Sequence, residues 1–191
     1  MVYHDCPPQM RPVGVQQSRV WLHSLFICNS LYLCLILRMA NTFSQVYLHI
    51  VFAVKNSNSR IPATYLPRVH AYIGGVLRQH GHIPYSVGGI DNHVHILVGY
   101  NINQPVPDMV RDVKSSTSRF ISESHIIPFK FEWQTGYGCF SYSPSHVENV
   151  KRYIENQHQH HKSVSLEDEI RNILERYGVE YDERYLIRDC E

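Results

Sequence analysis

Two histidines, His93 and His95, sit one residue apart in DNHVHILV. On a strand alternate side chains share a face, so both imidazoles point one way while Val94 and Ile96 point the other. Imidazoles about 6–7 Å apart along one strand can converge on a divalent ion. Alone, such a pair reads equally well as two polar groups on the solvent face of a half-buried strand. Further along, VKRYIENQHQHH places Tyr153 and Gln157 four residues apart on a helical pattern, hence on one face. A phenol with a pKa of about 10 is a poor nucleophile unless a metal polarises its target. Gln157 offers a neutral carbonyl oxygen that could complete a His93–His95–Gln157 ion site, and such a mixed N/O set suits Mg²⁺ or Mn²⁺. His158, His160 and His161 follow as a second cluster, able to take a transition metal, meet phosphates or face solvent.

Basic residues and hydroxyls gather in KSSTSR, where Lys114 and Arg119 can neutralise phosphates. Trp133 and Tyr137, with Phe140, lie between Lys130 and Lys151 and could stack on unpaired bases; core packing is the competing reading.

The elements that must position these residues follow from the hydrophobic pattern. FSQVYLHIVFAV (43–54) is β-branched and aromatic, and KNSNSR after it reads as a turn. TYLPRVHAYIGGVLRQH (64–80) carries helical spacing through Leu66, Val69, Ile73 and Leu77, weakened by Gly74-Gly75. Residues 82–91 and 93–100 read as strands joined in a hairpin, 107–124 as a helix, and 129–143 as strand-like with a Thr-Gly break. Ser143-Pro144 starts a helix running through the histidine cluster, and LEDEIRNILERYG (166–178) is a last helix ending at Gly178. The order β, α, β, β, α, β, α predicts an α+β domain, an antiparallel sheet with helices on one face.

The 191 residues are 43% hydrophobic and 18% charged, which suffices for one core and excludes a wholly disordered chain. A net charge of +1 excludes nucleic-acid binding by bulk charge, so any such binding uses local patches. Thirteen histidines and thirteen tyrosines favour an active site. The five cysteines include no CxxC and form neither a disulfide framework nor a zinc ribbon, which fits a reducing, cytoplasmic setting. Residues 20–37 are the most apolar stretch, but polar interruptions make them a poor membrane span, and no stable membrane association is expected. Residues 1–38 are read as an N-terminal extension or mis-set start, with native extra helix and export segment as alternatives, and 39–191 as one domain beginning at Met39. Phosphate-loop motifs are absent from the sequence.

Taken in order, DNHVHILV, KSSTSRF, WQTGYGCFSYS and YIENQHQHH resemble the HUH-type single-tyrosine transposases of small bacterial insertion sequences, and their relatives associated with repetitive extragenic palindromes. The opening FSQVYLHIVFAVKN is similar to that family's first strand, and the resemblance spans about residues 40–180. It implies a ferredoxin-like antiparallel sheet of the HUH endonuclease type. It also implies His93 and His95 as the metal-binding pair, Tyr153 as nucleophile, Gln157 as third ligand, and Mg²⁺ or Mn²⁺ as cofactor. The activity implied is cleavage and rejoining of single-stranded DNA beside hairpins through a 5′-phosphotyrosine, by a homodimer with tyrosine acting in trans. Lys114, Arg119, Trp133 and Tyr137 are the expected DNA contacts. A catalytically silent hairpin-binding protein of the same fold is the alternative; a relaxase-type nickase and a metal hydrolase fit less well, for want of helicase motifs and of H-E-x-x-H.

Overall fold

The computed structural model describes residues 43–187, so the expectations for residues 1–38 lie outside the described residues. Four strands, β1 (Tyr47–Ala53), β2 (Ile83–Gly89), β3 (His93–Gly99) and β4 (Gly138–Tyr142), form one antiparallel sheet in the order β2-β3-β1-β4. The two central strands are the apolar ones. All seven residues of β1 are buried, as are six of seven in β3, because both faces of the sheet are covered.

Alternation along β1 and β3 divides the two faces. Leu48, Ile50, Phe52, Val94, Ile96 and Val98 point toward α1 (Leu66–Gln79) and α2 (Val106–Glu123) and make the main core. The sequence reading places the helices on one face, whereas here they cover both. The opposite face presents Tyr47, Val51, Ala53 and Leu97 and is packed by α3 (Val147–Glu155) and α5 (Leu166–Tyr177), with the short α4 (Gln157–His160) between them. The fold class is the expected one, and the C-terminal helices supply a second layer. Val147, Val150 and Ile154 give α3 its buried stripe; Leu166, Ile170 and Ile173 do so for α5. Ser165 caps α5 by accepting from the Asp168 amide, and Gly178 ends it at a left-handed φ of 62°.

Two boundaries differ from the sequence reading. Residues 129–143 form only an isolated Val54–Trp133 bridge before β4, because the chain turns at Gly136 with φ +87°. The helix expected through the histidine cluster is interrupted at Asn156, which lies near φ −95°, ψ 11°, so that Gln157 starts a new turn. Among the described residues, no helix is long and apolar enough to cross a membrane.

Gly88 allows α3 to approach the sheet, and Gly89 allows the tight turn from β2 into β3. A Cβ at Gly88 would lie 2.6 Å from the Ile154 carbonyl oxygen, and at Gly89, with φ +141°, 2.3 Å from the His93 oxygen. Gly88 pairs with His95 in register, so the close approach brings α3 directly over the H-x-H strand. Gly75, by contrast, is exposed on α1, with nothing within 4 Å of a built Cβ. Gly88→Ala should therefore destabilise the fold by about 1–3 kcal/mol through overpacking, while Gly75→Ala should stabilise it by roughly 0.5–1 kcal/mol. Urea unfolding of both variants checks this; two shifts of the same sign would contradict the packing argument.

Candidate functional site

Strand β3 sets His93 and His95 on the face covered by the C-terminal helices, both buried, with 1% and 0% of their surface exposed. Their orientation is held from behind. His93 Nδ1 lies 2.7 Å from Asn92 Oδ1, and His95 Nδ1 lies 2.9 Å from His49 Nε2 on the neighbouring strand. His49 is itself buried and stacks on the His95 ring at 5.1 Å between centroids. Hydrogen bonds to the far ring nitrogen leave each Nε2 aimed away from the sheet.

Helix α3 brings Tyr153 over this pair. Its ring meets His95 edge-on at 5.9 Å and His49 at 6.2 Å. Its hydroxyl donates to Glu169 of α5, and Gln157 Nε2 donates to the same carboxylate oxygen at 3.0 Å. That bond orients the Gln157 amide so that Oε1 faces His93 Nε2 at 3.2 Å. The predicted His93–His95–Tyr153–Gln157 group is thus assembled in one place.

Three residues of the site were not assigned from sequence. Glu169 is 3% exposed, with its oxygens 3.4 Å from His95 Nε2 and 3.9 Å from His93 Nε2. His161 Nε2 lies 3.0 Å from Glu169 Oε2. His49 is the third. His161 reads in the sequence only as part of the second histidine cluster, while the other two leave faint signals. Glu169 falls in the apolar stripe of α5, three residues after Leu166 and four before Ile173; His49 shares the buried face of β1 with Val51.

The histidines are held neutral. Burial, reinforced by His161 and His160, lowers the His95 pKa to about 3. Burial, then the neighbouring His95 and His161, puts His93 well below its ordinary value, and burial with His95 does the same for His49. Neutral imidazole is the ligand-competent form.

The donor set also fits a cation by its lone pairs. His161 Nδ1 lies 2.8 Å from the Val164 carbonyl oxygen, so it carries hydrogen there and turns an Nε2 lone pair toward the Glu169 carboxylate. His93, with its hydrogen toward Asn92, turns an Nε2 lone pair toward the Gln157 carbonyl. Acceptor facing acceptor is repulsive unless a proton or metal ion lies between. One ligand atom from each of His93, His95, His161 and Glu169 lies within 4.8 Å of the others. An ion bonded at about 2.1 Å sets its ligands roughly 3–4 Å apart, so the four atoms need draw in only slightly to share one ion.

The expected DNA contacts lie elsewhere. Lys114 Nζ sits over the Phe52 ring at 5.0 Å and donates to the Gln134 carbonyl at 2.9 Å and to that of Gly136. Burial lowers its pKa to about 8. Lys114 and Tyr137 line a cleft of about 540 Å³ on the α1/α2 side, while Arg119 is exposed on α2. Trp133 lines that cleft but is only 9% exposed, its ring packed edge-to-face between Phe52 and Phe131 at 4.8 and 4.7 Å. Its observed role is core packing, because both flanking rings belong to the main cluster.

The four-stranded antiparallel sheet with helices is the fold expected of the HUH-type tyrosine transposases. The chain belongs to the IS200-like transposase family, whose model matches residues 42–157. Among solved structures, it is similar to a REP-associated tyrosine transposase bound to a REP hairpin. The two share 13% identity over 64% of this chain and 73% of that one, with a TM-score of 0.50. It is also similar to a candidate transposase from Deinococcus radiodurans R1, at 19% identity over 63% and 96% of the two chains, with a TM-score of 0.48. No curated protein matches the chain.

The neutral histidines set a pH dependence in the metal-free protein. Above about pH 6.5 they are uncharged both folded and unfolded and add no slope. Below it the unfolded chain binds protons that His49, His93 and His95 refuse while folded. Each then costs up to about 1.4 kcal/mol per pH unit until its lowered pKa is reached. The groups facing them are Glu169, Tyr153, Gln157, His160 and His161. Melting in chelator should therefore drop steeply from pH 7 to 5; a flat profile would contradict neutral burial.

Proposed function

We propose that this protein is a transposase that cuts and rejoins single-stranded DNA at hairpin-marked ends, through a 5′-phosphotyrosine on Tyr153. The observation that carries this reading is the Tyr153 hydroxyl held on Glu169 beside His93, His95 and Gln157. A divalent ion, Mg²⁺ or Mn²⁺, bound by His93, His95 and Gln157 would neutralise charge growing on the scissile phosphate. Tyr153 forms the new P–O bond, the bond to the 3′ oxygen breaks, and that oxygen leaves as a hydroxyl with the proton the phenol gives up. The covalent link conserves the phosphodiester, so rejoining by a 3′-hydroxyl needs no nucleotide cofactor. The family membership and the hairpin bound by the similar REP-associated transposase support this substrate.

Beside Tyr153 opens a cleft of about 500 Å³ that offers His146, Asn149, His160 and Arg176 to a phosphate backbone. Lys114, Arg119 and Tyr137, across the sheet, are suited to parts of the hairpin distant from the reacting bond. Residues 39–191 form the whole cleavage domain in this reading.

Incubation with single-stranded DNA bearing an element end should yield a protein–DNA adduct on a denaturing gel. Tyr153→Phe should abolish it, and His95→Ala or chelator should reduce it at least about 100-fold, within the range a positioned catalytic group contributes. An adduct that survives in Tyr153→Phe would overturn the assignment. Hairpin binding with no wild-type adduct would instead support the silent DNA-binding reading.

The resemblance implies a homodimer exchanging its tyrosines. The contact of Tyr153 with Glu169, beside histidines of its own chain, supports a site completed within one chain. Mixing a His93→Ala/His95→Ala protein with a Tyr153→Phe protein should then leave cleavage at background. Restored cleavage after subunit exchange would establish the trans arrangement.

A further inference from the structure

We propose that His161 and Glu169, from the segment after the family match ends at residue 157, are ligands of the same ion as His93 and His95. The inference rests on the reading that the two strand histidines hold a metal. Glu169 is a carboxylate with 3% of its surface exposed, and its oxygens lie 3.0 Å from His161 Nε2 and 3.4 Å from His95 Nε2. Both nitrogens face the carboxylate. The hydrogen of His161 is committed to the Val164 carbonyl, and buried His95 Nε2 has no hydrogen-bond partner. A buried carboxylate ringed by imidazole nitrogens is an arrangement that a cation organises by bonding to all of them.

The donor count also sets the class of ion. Mg²⁺ favours oxygen ligands and an octahedral, partly hydrated shell, whereas three imidazoles and one carboxylate favour a first-row transition ion. Gln157 Oε1, 3.2 Å from His93 Nε2, can add a fifth donor. On this account the short α4 and the start of α5 form one wall of the ion site, and strand β3 the other.

Co²⁺ titration of the full-length protein, read by visible absorption, tests the proposal without relying on activity. Wild type should bind Co²⁺ with an intense band and retain it against about 100-fold excess Mg²⁺. His95→Ala should abolish binding, and His161→Ala and Glu169→Gln should each weaken it at least about tenfold. Circular dichroism follows folding; His161, in the turn before α5, carries the test if Glu169→Gln fails to fold. Co²⁺ affinities within about twofold of wild type in both variants, with loss in His95→Ala, would overturn the C-terminal ligands and leave the cleavage reading intact. Displacement of Co²⁺ by equimolar Mg²⁺ would overturn the nitrogen-rich donor set. Failure of wild type to bind Co²⁺ would overturn the whole ion site, while adduct formation by Tyr153 is scored independently.

Discussion

A carboxylate buried in the second layer of the fold, that of Glu169, organises the C-terminal half of the molecule. Removing a carboxylate from water is costly unless donors or cations replace its hydration. Here Tyr153 and Gln157 donate to it, and imidazoles from β3 and from the end of α4 crowd around it. Those partners come from β3, α3 and α4, so the group is satisfied only when these elements and its own α5 are all in place. The same contact that ties α5 to the sheet fixes the position of the tyrosine oxygen. Stability and site geometry therefore share one interaction, and a change at Glu169 acts on both.

The sheet makes that arrangement rigid by dividing its two faces. The α1/α2 side is apolar and tightly filled, and it holds β1 and β3 as buried central strands. The other side can then carry histidines on buried central strands. Behind His95 stands His49, and behind His93 stands Asn92, each directing the outward nitrogen through the ring's far atom. Gly88 performs the complementary task. By omitting a side chain beneath Ile154, it lowers α3 onto the strand, and Tyr153 and Gln157 come within reach of the histidines.

Local periodicity made part of this legible. Alternation put His93 and His95 on one face, and four-residue spacing paired Tyr153 with Gln157; both hold in the folded chain, even though the helix breaks between them at Asn156. The order of elements gave the antiparallel sheet. What the pattern could not carry was the contact between distant segments. His49 and His95 are 46 residues apart in sequence, and nothing in YLHIVF marks the histidine as the support of another. Glu169 reads as one more charge in LEDEIRNILERYG, and only its coincidence with the Leu166–Ile173 stripe separates it from its exposed neighbour Asp168. His161 lies in a polar run with no apolar period, so the pattern could not sort it from exposed His158. Trp133 failed in the opposite direction. Its basic surroundings suggested stacking on bases, whereas its pairing with Val54 at the edge of β1 turns the ring into the main core.

The same layering dictates how any substrate must approach. His93 and His95 are closed from below by the sheet, whose far side is occupied by the α1/α2 core. From above they are covered by Gln157 and Glu169, themselves 1% and 3% exposed. Tyr153 is only half-buried and borders the cleft between α3 and α5, which also reaches Glu169 and His160. That cleft offers a phosphate a path to the tyrosine oxygen, along the side where His146 and Arg176 are exposed. The segment matched by the family model ends at Gln157, yet one wall of this entrance belongs to α5. In the proposed reaction the strand histidines and the tyrosine would supply the reacting groups, and the helix beyond them borders the open side of the tyrosine.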